Sequence, residues 1–479
     1  MKKVTLLLAM ILLVAIGYSQ NKSNIKYVRK NASSPEGKAD LEAMSVAFKK
    51  MREMSCDNGL SWYYQGAIHN IPNTIIGKNQ LCAQYQNIIN KLWAWGDCTH
   101  TNSENSKLHF LLWHRMYIWH LEKIVRELSG KVSFALPYWN YGENNVMPEE
   151  LRTPQSSLYE NARQDILNEG KPIQQADVIN LLKSINKLKN IPSFAGGAGF
   201  SAALEGSPHN FMHGYIGRGQ HYNEIYQKQT DGLMGLVPSA GFDPVFWLHH
   251  SMVDRIWESW DVSPYGQRPT LAELEKYPWK YEFIEPNGQK VTYTVQQMYD
   301  IVYNLDYKYD NLLYTDDDEQ LASNENIKMN KTSFQEPKKT LVWEQKINKT
   351  LGETTFIHKI ENKLSKNTSK MFKSEANSNM VLNLDIVLYK EPVDYYTVYL
   401  RYSGEEDKYV GMMTFFGVTH NHGTGDNHTI SEEGVKLNYS YYVSDVLLST
   451  DKPFEVIIKK NGSGDVQVTL EKISMVKIN

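Results

Sequence analysis

Asp243-Pro244-Val245-Phe246-Trp247-Leu248-His249-His250-Ser251-Met252-Val253-Asp254-Arg255 is the stretch from which the rest of the chain can be read. The aspartate-proline pair opens a helix, since proline is tolerated in a first turn, and the run from Phe246 to Trp260 is apolar enough to be buried. Adjacent histidines on a helix point about 100° apart, so only one of His249 and His250 can face a given metal. The other is expected to be a packed or hydrogen-bonded neighbour. Upstream, Ser207-Pro208-His209-Asn210-Phe211-Met212-His213-Gly214 places two imidazoles four residues apart. On a helix these share one face and can share one metal, although that spacing alone is a weak signal.

The first half of the chain adds His69 in Tyr64-Gln65-Gly66-Ala67-Ile68-His69-Asn70, then Cys98-Thr99-His100, then His109-Phe110-Leu111-Leu112-Trp113-His114-Arg115. Apolar residues recur at helical spacing from Leu108 to Leu128, and Gly130 closes that helix. His114 sits among large apolar side chains. A single histidine so placed is normally a core residue, but two clusters of histidines, each with a member on an apolar helix, point to metal. An all-imidazole donor set suits Cu, Zn, Fe or Ni.

Working outward, the segment from about Ser45 to Trp260 reads as mostly helical, and the character changes after Tyr309. Residues 315–340 are polar and charged, as in a linker. Beyond them Val381–Leu388, Tyr396–Leu400, Phe454–Ile458 and Val466–Leu470 alternate or run apolar like strands, with Asn461-Gly462 placed as a hairpin turn between the last two. A separate all-β domain, a sandwich, is expected to close the chain. At the other end Lys2 and Lys3 precede an apolar run from Val4 to Gly17, the pattern of a secretory signal peptide and too short to span a bilayer. The expectation is export, to a secreted or periplasmic location, with no membrane association after signal removal.

The whole chain has 479 residues, 41% hydrophobic, with a formal net charge of −3. That allows a substantial core and gives no reason to expect nucleic acid as a partner. An oxidising compartment makes the three cysteines an awkward count. Cys56 with Cys82 is the expected disulfide, which leaves Cys98 over.

Phe110-Leu111-Leu112-Trp113-His114-Arg115, followed by Glu122, is similar to the copper A signature of tyrosinases. Asp243-Pro244-Val245-Phe246-Trp247 through His250 to Asp254 resembles their copper B signature. The chain thus resembles the tyrosinase/polyphenol oxidase (catechol oxidase) family of type-3 dicopper proteins over roughly Ser45 to Tyr309. The later strands are similar to the β-domain that follows the core in plant polyphenol oxidases. The resemblance implies a mainly α catalytic domain with a four-helix-bundle dicopper core, followed by the β-sandwich. The expected division is a signal peptide over 1–20, the dicopper domain over 21–310, a polar linker over 311–340 and the sandwich over 341–479.

Carried across by motif, the ligands implied are His69, His100 and His114 for copper A, and His209, His213 and His250 for copper B. The family usually places its middle copper A histidine where this chain has Asn105, so His100 and His109 are the alternatives. Cys98-Thr99-His100 resembles the Cys-x-His of fungal tyrosinases, in which the cysteine is joined to the histidine by a thioether. That favours His100 and accounts for the leftover cysteine.

The cofactor implied is a pair of copper ions, and the partners are O2 and small phenols, oxidised to o-quinones. In the family, residues at the positions of Glu205 and Asn210 hold a water that deprotonates a monophenol. The competing explanation is helix capping, where both residue types are common. Val237 and Gly214 fall where relatives line the entrance, and small residues there suit substituted phenols or o-aminophenols. Tyr307-Lys308-Tyr309 resembles the tyrosine pair that ends the family's catalytic core, after which the β-domain in relatives can shield the site. The rival reading is an O2 carrier of the haemocyanin type, which has the same dicopper site without turnover.

Overall fold

A computed structural model describes residues 25–70, 81–82, 104–263, 266–314, 339–352, 355–360, 379–418, 433–447 and 453–478. The leader, Cys98, His100 and the polar run 315–338 lie outside the described residues.

The first half is helical. Its main helices are α1 (Pro35–Glu53), α2 (Trp62–His69), α3 (Glu104–Ser129), α4 (Gln175–Leu188), α5 (Phe200–Leu204), α6 (Phe211–Gly217) and α7 (Pro244–Asp261). The opening of α7 follows from its sequence. Asp243 is the N-cap and accepts from the Val245 amide, and Pro244 fills a first-turn position that needs no donor. Asp243 is itself clamped by Arg163, at 2.5 and 3.0 Å, with both side chains fully buried. Every residue from Pro244 to Trp260 is buried, so α7 is the central element, and its charged members Asp254, Arg255 and Glu258 are each bonded to other parts of the chain. The long helix α3 runs alongside it and stops at Gly130, whose φ of 74° suits a residue without a Cβ.

Two glycines bring α2 against the approach to α7. A Cβ on Gly66 would lie 2.6 Å from the Phe242 ring, and one on Gly241 would lie 2.8 Å from Cβ of His69. Close approach here sets the position of His69. The ends of the helical half are tied by a parallel ladder between β1 (Tyr27–Arg29) and β2 (Tyr307–Tyr309). Inside this knot Asp254 accepts from Arg115 (2.5 Å), Arg29 (3.1 Å) and the hydroxyls of Tyr307 and Tyr309 (2.6 Å each). Glu122 bonds Arg29 from the other side at 2.7 Å. Cys56 and Cys82 form the expected disulfide.

The second half is a sandwich of two four-stranded antiparallel sheets. Its strands are β3 (Lys339–Leu351), β4 (Phe356–Ile360), β5 (Asn379–Leu388), β6 (Tyr395–Tyr402), β7 (Lys408–Met413), β8 (Val435–Tyr442), β9 (Phe454–Asn461) and β10 (Val468–Ile478). One sheet has the order β7-β6-β9-β4 and the other β8-β5-β10-β3. Leu384, Ile386, Val398, Leu400, Val456 and Leu470 are among the side chains of the core between them. The hairpin expected at Asn461-Gly462 is not formed. β9 and β10 lie in different sheets, so the chain crosses the sandwich after Gly462 instead of folding back on itself. An Asn-Gly pair specifies a tight local reversal, not which neighbour the next strand pairs with, and β10 gains two partners by leaving.

Candidate metal centre

Four helical segments deliver the histidines to one buried place. His69 ends α2, His114 lies in α3, His209 stands in a π-turn (Glu205–Asn210) that leads into α6, His213 lies in α6, and His249 and His250 lie in α7. All six are buried. His209 and His213 have ring centroids 4.5 Å apart, His69 and His114 5.6 Å. The two groups meet where His114 stacks on His250 at 4.2 Å with the planes only 6° apart. Ring nitrogens of His209, His213, His249 and His250 lie within 4.8 Å of one another, the spacing of a shared metal ligand set.

The far side of most rings is held. Nδ1 of His69 faces the Val237 carbonyl at 3.1 Å, Nδ1 of His114 the Phe110 carbonyl at 2.7 Å, and Nδ1 of His213 the Met234 carbonyl at 3.0 Å. Nδ1 of His209 lies 2.9 Å from Oδ1 of Asn210. A carbonyl can only accept, so each of these Nδ1 atoms carries the proton and the lone pair is on Nε2. His250 has neither ring nitrogen in a hydrogen bond among the described residues, and the same is true of His249. Leaving such groups dry and unsatisfied is costly, and a bound cation removes that cost.

Burial sets the charge state. It pushes His114 down to about 3, with help from His209, and His209 down to about 3 against the pull of its Asn210 contact. His213, His249 and His250 are also held well below the ordinary histidine range, by burial first and by one another second. Neutral imidazoles in a water-poor cage are donors for copper in either oxidation state.

His249 takes the first of the two alternatives expected, packed rather than hydrogen-bonded, 5.2 Å from His209 and 5.0 Å from His213, and its ring nitrogens join the same cluster. The 100° rule separates two rings on one helix but does not stop a curved wall of histidines from facing both. His109, by contrast, is occupied elsewhere: Nδ1 is 2.7 Å from the Tyr281 hydroxyl and Nε2 is 2.7 Å from the Tyr277 carbonyl. His120 is buried and stacks on Phe283 at 4.9 Å. His100 and Cys98 lie outside the described residues.

Glu205 opens the π-turn and Asn210 closes it. Neither supplies a side-chain cap to the helix that follows, so capping does not explain them. Gly214 is buried, with the Arg218 guanidinium 3.5 Å from where a Cβ would stand. Val237 is buried with its carbonyl toward His69.

One residue at this site had no signal in the sequence. Phe416, just beyond β7 in the sandwich, stacks on His213 at 4.3 Å and 15° and lies 6.2 Å from His209. It is 5% exposed, so the sandwich closes this side of the histidine cage. Neighbouring contacts hold the cover in place. Thr414 donates to the Gly206 carbonyl at 2.8 Å, Tyr395 packs edge-on against Phe211, and Lys187 pairs with Asp445.

A helical cage of neutral histidines with a β-sandwich laid across its mouth defines a class, that of buried multi-histidine metal proteins. The comparisons make it specific. The family model for the common central domain of tyrosinase matches residues 59–180 and 150–263, which include all six histidines. A tyrosinase of Hahella sp. is 28% identical over 292 residues, covering 54% of this chain and 58% of that protein. A chloroplastic polyphenol oxidase of Spinacia oleracea is 31% identical over 242 residues, covering 42% of this chain and 36% of that one. The structure of latent apple tyrosinase superposes with a TM-score of 0.62 at 18% identity, covering 95% of this chain and 98% of that one, so the likeness extends to the sandwich as a fold. Residues 59–263 thus carry the common central domain of tyrosinase, and their histidine cage supports a dinuclear copper centre as the cofactor. The chain spans less than two thirds of either curated relative.

Proposed function

We propose that this chain is an exported, O2-dependent copper enzyme that oxidises phenols to o-quinones, with the sandwich acting as a cover that must move before substrate enters. The observation that carries the reading is the cage itself: buried neutral imidazoles, four with their outer nitrogens on fixed acceptors, lying under Phe416. His69, His100 and His114 would hold one copper, and His209, His213 and His250 the other. The occupied state of His109 supports His100 as the remaining ligand. His249 stands beside the second group as a further donor. Bound there, the coppers would supply the electron-transfer chemistry with O2.

The remaining roles fall to the chain. Backbone carbonyls of Phe110, Met234 and Val237 and the amide of Asn210 fix ring tautomers, which raises their basicity as donors. Glu205 and Asn210 border the cleft beside the cage, where a carboxylate can accept a phenolic proton. Val237 and Gly214 leave room at the entrance for substituted phenols and o-aminophenols. Cys98 joined to His100 would lock that ligand, and a linked peptide mass would show it.

The test is O2 uptake by the copper-loaded mature chain with a monophenol, a catechol and an o-aminophenol, with copper per chain measured alongside. Uptake with the monophenol supports the Glu205 and Asn210 assignment. Uptake with only the other two removes it and leaves an oxidase. A fully loaded centre that consumes no O2, with the cover displaced, is a carrier rather than an enzyme.

A further inference from the structure

Two buried side chains of the sandwich, Met412 and Phe416, belong to the core of the helical half. Phe416 stacks on His213. Met412, on β7, makes a different contact: the Ser207 hydroxyl donates to its sulfur at 3.1 Å, with both residues buried. Ser207 lies two residues before His209 in the same π-turn, so this bond ties the sandwich to the segment that carries a cage histidine. Both ends of the tie are fixed. In the sandwich Met412 pairs with Thr397 of β6, and its carbonyl accepts from the Tyr441 hydroxyl at 3.0 Å. In the helical half Ser184 donates to the Ser207 carbonyl at 3.0 Å, and Thr414 donates to the Gly206 carbonyl at 2.8 Å. Neither backbone can give way without losing hydrogen bonds, so a change in the size or polarity of the Met412 side chain falls on the joint.

A cavity of about 420 Å³ opens onto this contact, and both Ser207 and Met412 line it. A water-sized solute needs only about 10–15 Å³ of such space, so a small oxidant can reach the thioether while the cover is docked. Among the described residues no other methionine lines the cavity. The sulfurs of Met147 and Met252 also meet polar groups, but these are arginines within the helical half. Met412 alone combines a buried polar contact across the joint with access from a cavity.

We propose that Met412 is a site of oxidation by hydrogen peroxide, and that its sulfoxide unseats the sandwich from the histidine cage. A lone pair on sulfur attacks one peroxide oxygen. The S–O bond forms as the O–O bond breaks, and the transferred oxygen gives its proton to the departing hydroxide, which leaves as water. Sulfur loses two electrons and the peroxide gains them. The new oxygen has no room between Met412 and Ser207 at their present separation, and a strong acceptor is costly to keep dry in an apolar joint. Loss of this tie loosens Phe416, four residues further on. Oxidation takes place with the cover docked, and its product favours the undocked state. The modification does not depend on the function proposed above; only its effect on turnover does.

The experiment treats the full-length, copper-loaded chain with hydrogen peroxide, stops the reaction with catalase, and reads Met412 by peptide mass. Hydrogen exchange over residues 207–213 and 412–416 reports how firmly the joint is held. Met412 should gain one oxygen at doses that convert the half-buried Met54, and both segments should then exchange about tenfold faster. Methionine sulfoxide reductase should reverse both changes. Met412→Leu, which keeps the volume without the sulfur, should hold its slow exchange through the same treatment. Met412→Gln, polar and of similar length, should exchange fast with no peroxide added. A Met412 left unoxidised when Met54 is converted overturns the proposal. So does a sulfoxide with unchanged exchange, or an equal acceleration in Met412→Leu. O2 uptake with a catechol on the same samples separates the two ideas. Faster exchange without turnover in any sample removes only the enzyme reading, and turnover with an inert Met412 removes only the oxidation site.

Discussion

The two halves of this chain are stable for different reasons, and only one is built around groups that proteins normally keep in water. The helical half buries Arg29, Arg115, Arg163, Glu122, Asp243, Asp254 and six cage histidines. The core of the sandwich is aliphatic and aromatic, filled by alternating positions of paired strands. Buried charge is weak evidence for stability, because desolvation can exceed the attraction recovered. Where it is retained in such density, something other than stability selects it. Here the charges brace α3 and α7, the two helices that carry His114 and the His249-His250 pair. Among the described residues the sandwich buries the pair Lys460–Asp394, away from the cage, and lays the phenyl ring of Phe416 on His213.

The largest effect expected is at the cage. His250→Ala should remove one copper per chain and all O2 uptake while the chain still folds, read by metal analysis and circular dichroism. Retention of both coppers would show that His249 replaces it. Next is the brace. Asp254→Ala leaves Arg29 and Arg115 without their shared partner and should cost about 3–5 kcal/mol in equilibrium denaturation.

Acid should separate the halves further. Burial lowers His109 to about 4 from 6.5. Its depressed value means that it contributes stability fully above 6.5, lost as pH falls toward 4 and the unfolded chain takes up the proton first. Burial alone would raise Asp254, but Arg115 and Arg29 hold it below its ordinary value. Its contribution is lost only at still lower pH, below the unfolded carboxylate value of about 3.9. Copper-free chain carrying His109→Gln should therefore lose less stability between neutrality and mild acid than the unaltered chain, by chemical denaturation at each pH. The smallest effect should come from the sandwich core, where Ile386→Val should cost about 0.5–1.5 kcal/mol. If it matched Asp254→Ala, the contrast between the halves would fail.

Much of the helical half was legible because its chemistry is local. Asp243-Pro244 states where α7 begins, Gly130 where α3 ends, and histidine spacing on apolar helices reveals a metal cage. The sandwich was legible as strands but not as a topology. Asn461-Gly462 looks like a hairpin, yet strand pairing depends on which edge is free elsewhere in the fold. Phe416 was invisible, since a phenylalanine beyond a strand looks the same whether it fills its own core or reaches into another domain.

The central claim is that Phe416 covers a working dicopper site. It is tested most directly by comparing O2 uptake with a catechol for copper-loaded full-length chain and its Phe416→Ala variant, at equal copper content. The variant should turn over faster, because removing the ring that stacks on His213 opens the cage without touching a ligand. Equal rates from two fully loaded proteins would contradict the account, and would mean that substrate reaches the coppers by a path the sandwich does not control.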